Sequence, residues 1–179
     1  MISKAIVWLA LLGMLAGYAC DTPEAPSSSS SSAAAEAALP KDKLPPTSKE
    51  DSTKNATAAI DAWVKLVDEA QYPTAWEESG AWLKQVEGKD AWVKQIGAIR
   101  NAYGPLVSRT VKTVDYKSQI PRMPPGIYVT ITYDSSFANV KDAYEEIGAT
   151  YEDKQWRPLG YYVGAKPPPK ASPNATSDH

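Results

Sequence analysis

Ile127-Tyr128-Val129-Thr130-Ile131-Thr132-Tyr133 alternates without a break. Successive side chains of a strand point to opposite sides of the sheet. Ile127, Val129, Ile131 and Tyr133 therefore share one face, and Tyr128, Thr130 and Thr132 share the other. That is the pattern of a strand with one face against a core.

Three further strands are predicted around it. Residues 107–116 are rich in β-branched side chains, and a Pro-rich loop at 120–126 joins them to the central run. Residues 143–151 form the next strand, Asp153-Lys154 turns the chain, and residues 156–163 form the last. Upstream the period changes from two to that of a helix. Ala59, Ile60, Trp63, Val64 and Val67 recur at helical spacing behind a Ser52 or Thr53 cap. Tyr72-Pro73 breaks that helix. Pro73 suits the first turn of a second, residues 74–86, carrying Trp76, Leu83 and Val86. Gly88 ends it. Asp90 caps a third helix with Trp92, Val93, Ile96 and Ile99 on one stripe, and Gly104-Pro105 stops it. Helices first and a strand meander afterwards make an α+β domain over residues 52–164, with three N-terminal helices on a four-stranded antiparallel sheet.

The flanks differ in composition. Residues 1–19 read as a signal peptide: Lys4 is the positive end, an apolar run too short to span a bilayer follows, and small residues precede Cys20. Cys20 is the only cysteine, so no internal disulfide is open to it. The economical reading is a lipoprotein signal with a thioether-linked lipid, of the palmitate kind, on Cys20. Ordinary cleavage, leaving a free thiol, is the alternative. Residues 20–51, with Ser27–Ser32 and prolines 40, 45 and 46, read as a disordered tether that holds the domain off a membrane. Residues 165–179 read as a Pro-rich tail. Within it Lys166-Pro-Pro-Pro-Lys170 is a frayed end or, alternatively, a polyproline recognition segment.

Several reaction classes are excluded by composition. The single histidine is His179, so the domain holds no Ser/His/Asp triad and no Cys/His pair. No Cys/His cluster can hold zinc and no Gly-rich loop can cradle phosphate, so no catalytic residue, metal site or cofactor is assigned. The net charge of −2 and the lack of a Lys/Arg run argue against nucleic acid. Six Trp and ten Tyr against one Phe are the remaining signal. Trp63, Trp92 and Trp156 are assigned to the core, while Trp76 and Trp82 are left open between core and site.

Arg109 is the most informative residue. Its neighbours on one strand face are Val107 and Val111, so it points at the helices and must pair there or open to a cavity. Glu145 shares a face with Ala143, Ile147 and Ala149. In a meander one strand separates the two backbones, about 10 Å, and long side chains can meet across it. Arg109 and Glu145, with Trp76 and Tyr133, are the candidate pocket.

Ala62-Trp-Val-Lys-Leu-Val-Asp68, Tyr72, Ala75-Trp76, Trp92, Arg100, Gly104, Ser108-Arg109, Pro124, Gly126, Tyr128, Phe137, Glu145, Trp156 and Gly160-Tyr161 together resemble the bacterial family filed as domain of unknown function 4019. The likeness spans nearly all of the domain and none of the flanks. This sequence departs at Glu146, where the family's usual residue is Thr. The resemblance implies a fold and no activity. It also implies a layout similar to the cone-shaped nuclear transport factor 2-like fold, a curved sheet with a pocket. The expected protein is a bacterial cell-envelope lipoprotein, membrane-anchored through Cys20, whose domain binds a small molecule or protein partner. One alternative is a pocket enzyme using a carboxylate such as Glu145. Another is a scaffold or homodimer module using the outer sheet face at Tyr128, Thr130 and Thr132.

Overall fold

A computed structural model describes residue 39 and residues 44–165. Cys20, the leader, most of the tether and the tail from 166 onward lie outside the described residues. Among the described residues four helices precede four strands: α1 (Lys49–Asp68), α2 (Tyr72–Glu78), α3 (Ala81–Val86), α4 (Lys89–Tyr103), β1 (Leu106–Lys117), β2 (Tyr128–Phe137), β3 (Ala143–Glu152) and β4 (Gln155–Ala165). The strands form one antiparallel sheet in the order β1-β2-β3-β4. Among the described residues no helix is long and apolar enough to cross a membrane.

The α+β class stands, but the helix layer departs from the sequence expectation. α1 begins three residues before Ser52. Its cap is Ser48, whose Oγ accepts the Asp51 N–H at 3.1 Å. Ser52 is instead buried, its hydroxyl 2.8 Å from that of Thr47. The expected helix over 74–86 is two short helices broken at Ser79-Gly80. Ser79 Oγ donates back to the Ala75 carbonyl at 2.7 Å, and the Trp63 indole N–H donates to the same carbonyl at 2.6 Å. The Gly80 N–H leaves the helix and donates to the Pro158 carbonyl of β4 at 2.7 Å. Side-chain and long-range bonds thus replace the local ladder there. α4 is capped by Gly88, with Asp90 inside its first turn. It ends at Gly104, whose φ of 76° places it in the left-handed region, and a Cβ there would meet Asn139 at 3.0 Å.

The alternation of residues 127–133 sets the core. Ile127, Val129, Ile131 and Tyr133 are all buried, and the last three pack with Ile60, Trp63, Val64, Val67, Trp92 and Ile96 from the helices. Trp63 and Trp92 lie 6.0 Å apart at their ring centroids. Trp156 is half-buried against this cluster. Two expectations about faces need correction. Tyr128 was expected on an open outer face, yet it is only 3% exposed. The loop before β2 folds over it, and its hydroxyl donates to the Pro124 carbonyl. Val107 and Val111 were expected under the helices, yet they are 62% and 49% exposed. The pairing of β1 with β2 shifts register between Leu106 and Ser108 and again between Val111 and Thr113. β1 is an edge strand that the helices barely cover, and bulges are common on such edges.

Candidate functional site

The two shifts in β1 flank Arg109 and leave it pointing inward. It pairs with Ser135 of β2, while Glu145 of β3 pairs with Tyr133, one step along the same inner face. The side chains meet across β2. Arg109 Nε donates to Glu145 Oε2 at 2.6 Å, and its Nη2 donates to Oε1 at 2.7 Å. The same guanidinium donates twice to Asp68, the last residue of α1, at 2.6 and 3.0 Å. Arg100 of α4 donates to Asp68 at 2.9 Å and to the Tyr161 hydroxyl at 3.1 Å. Tyr161 in turn donates to Glu145 Oε1 at 2.5 Å, and the Ser135 hydroxyl donates to Glu145 Oε2. Two arginines and two carboxylates therefore close into one charge-balanced unit that joins α1, α4 and all four strands.

Glu145 has no exposed surface. Burial pushes its carboxyl up, but the bonds and charge of Arg109, together with the Ser135 and Tyr161 hydroxyls, outweigh that and hold it below the ordinary carboxylate value. Burial likewise drives the Tyr161 hydroxyl up, and the neighbouring Glu145 charge adds to it. The Tyr133 hydroxyl donates to Asp61 at 2.9 Å, with the Arg109 guanidinium 5.7 Å from its ring centroid. A general acid or base must reach its substrate. Glu145 is sealed and Arg109 has each of its nitrogens bonded to a protein carboxylate, so neither offers a free group.

Of the four expected pocket residues the fold gathers three, Arg109, Glu145 and Tyr133, into a closed cluster. Trp76 stands apart on α2. Its indole N–H donates to the Glu87 carbonyl at 3.3 Å, and Lys84 Nζ lies 5.4 Å from its ring centroid.

A recess of about 170 Å³ lies elsewhere, where α3 meets the β3–β4 hairpin end. Trp82, Met123, Pro124, Pro125, Tyr128 and Tyr151 line it. Glu152 stands in its wall, with one carboxylate oxygen accepting the Ala81 N–H at 2.7 Å, and Gln85 lies at its exposed side. Burial, with the Glu152 charge second, pushes the Tyr128 hydroxyl up to about 12. Among the described residues no group of three or more His, Cys, Asp and Glu side chains is arranged to hold a metal.

The sequence model of the family described as "Protein of unknown function (DUF4019)" matches residues 59–161. The chain belongs to the DUF4019 family. No curated protein matches it. The matched DUF4019 span contains every member of the buried unit, from Asp68 to Tyr161, and every residue of the recess.

Sequence reasoning found Arg109 and Glu145 but gave no chemical role to Asp68, Arg100, Ser135 or Tyr161. A signal existed for two of them. Arg100 follows Trp92 and Ile96 at steps of four, and Asp68 follows Val64 by four, so both fall on the buried stripes of their helices. A charged residue in that position predicts a buried partner.

Proposed function

We propose that this DUF4019 domain is a non-enzymatic peptide-recognition module carried on a lipid tether at the bacterial cell envelope. The observation that carries the reading is the recess at α3. It is aromatic and proline-lined, holds one carboxylate, and is smaller than the roughly 300–1,000 Å³ of ordinary small-molecule pockets. A volume of this size suits an anchoring side chain or two of a protein partner better than a whole ligand. The pocket-enzyme alternative has the geometry of Glu145 against it. The envelope location rests on the leader, on Cys20 and on the Ser-rich tether. A cone of the nuclear transport factor 2-like kind is the architecture we favour, supported by the four-strand meander with its helices on one face.

A photo-crosslinking residue in place of Gln85 tests the recess in living cells. A discrete adduct with another polypeptide is expected, which Glu152→Lys removes and which the same probe at Lys94 on α4 does not give. Equal labelling from both positions defeats the proposal. Cys20→Ala should release the protein from membranes and abolish fatty-acid labelling, and labelling equal to that of the parent excludes the anchor.

A further inference from the structure

We infer that the recess at α3 takes the Lys166-Pro-Pro-Pro-Lys170 segment of a second copy of this chain. The inference rests on the peptide-recognition reading above and names its ligand. Proline-rich segments dock in grooves lined by Trp and Tyr, because their extended helix is already ordered and its rings lie flat on aromatic faces. Trp82 and Tyr151 supply such faces, and Met123 supplies an adaptable apolar wall. Glu152 adds one negative charge at the recess, and the segment carries a lysine on each side of its three prolines.

Reach decides which copy is bound. β4 ends at Ala165, paired with Ala143 at the start of β3, whereas Thr150, Tyr151 and Glu152 of the recess lie at the far end of β3. That separation is roughly 23–30 Å at about 3.3 Å per residue. Residues 166–170 follow Ala165 directly and span at most about 17 Å when fully extended. A molecule therefore cannot place this segment in its own recess, and the contact runs from the tail of one copy to the recess of the next. Two copies that exchange tails reciprocally close into a pair, and copies that pass the tail onward build rings or open arrays. Weak binding suffices where copies share a membrane, because confinement to a surface keeps tail and recess near each other.

The test uses the full chain with Cys20→Ala, its tryptophan indole resonances followed by NMR as protein concentration rises. The Trp82 signal, identified by its loss in Trp82→Phe, should shift with concentration. It should stay fixed in a chain carrying Pro167→Ala, Pro168→Ala and Pro169→Ala. A synthetic peptide of residues 165–172 added to that triple variant should restore the shift, with a midpoint on the order of 0.1–1 mM. The same peptide with alanines for the three prolines should bind at least about tenfold more weakly, since it lacks the preformed helix. Gln85→Arg, at an exposed position, should weaken the peptide without unfolding the domain and covers the case in which a Trp82 variant misfolds. A Trp82 signal that never moves, or an alanine peptide that binds as well as the native one, overturns the inference. A Gln85 adduct with a different protein, together with a silent peptide titration, overturns the tail assignment and leaves the peptide-recognition reading in place.

Discussion

The inner face of the sheet and the recess at its hairpin end both gather polar and aromatic side chains, but they treat them in opposite ways. Around Glu145 each nitrogen of Arg109 is bonded to a protein carboxylate, and the charges balance inside the fold. At the recess, Trp82 and Glu152 border open space. A buried charge whose partners are all internal serves the fold, whereas aromatic surface left accessible beside a carboxylate is available to another molecule.

Arg109→Met breaks the comparison most severely. It leaves Glu145 buried and strips Asp68 of two of its bonds, and among the described residues Arg100 is the one cation that remains paired with them. A loss of about 3–5 kcal/mol in unfolding free energy by urea denaturation is expected. Adding Glu145→Gln removes the orphaned charge, so the double variant should recover part of that loss. Strict additivity of the two changes defeats the claim that they form one unit.

Acid attacks the same region by a different route. Glu145 is held below its ordinary value, so the folded state releases its proton more readily than the unfolded one. Its stabilisation is fully present above the unfolded value of about 4.3 and is lost as pH falls from there through the lower folded value. Urea midpoints for the parent and Glu145→Gln should differ most near neutrality and converge below about pH 4. A difference between them that is independent of pH rules out this linkage.

Much of the fold was legible because it rests on local pattern. The alternation from Ile127 to Tyr133 located the core face, and strand parity placed Arg109 and Glu145 on one side of the sheet. What escaped notice depended on contacts distant in sequence. The spacing of Trp76, Leu83 and Val86 runs through Ser79-Gly80 as though one helix continued. The break comes from Trp63 on α1 and Pro158 on β4. The recess was missed for a similar reason. The loop carrying Met123, Pro124 and Pro125 reads locally as a connector, and only the folded chain brings it to Trp82 and Tyr151. Trp76 falls outside the Arg109 cluster, and an aromatic residue on a short helix carries no signal for which neighbour it will meet.

Trp82→Ala separates fold from function at the open region. Trp82 is half-buried and packs against the small cluster of Met123, Tyr128 and Leu159 rather than the main core. The expected loss is about 1 kcal/mol, with cooperative unfolding retained, while the Gln85 adduct disappears. A loss as large as that of Arg109→Met places the recess within the stability core.

The finest test of the contrast lies between adjacent residues of β3. Glu145 points inward and Glu146 outward, where it stands between Thr132 and Tyr162 on the neighbouring strands. Burial raises the Glu146 carboxyl, with Lys117 pulling it back and Asp115 pushing it further up, so its direction opposes that of Glu145. A carboxyl raised in the folded state binds its proton more tightly there than in the unfolded chain. Its ionisation therefore withdraws stability as pH climbs from about 4.3 through the raised folded value. Glu146→Gln removes that penalty and should stabilise the domain by a few tenths of a kcal/mol at neutral pH, within the usual range for surface changes. The gain should vanish below about pH 4, where the parent side chain is protonated in both states. Paired urea melts at pH 7 and pH 4 read both signs, because Glu145→Gln is destabilising at pH 7 and Glu146→Gln is stabilising. If both substitutions shift the midpoint in the same direction, the two faces of the sheet do not differ in the way their geometry implies.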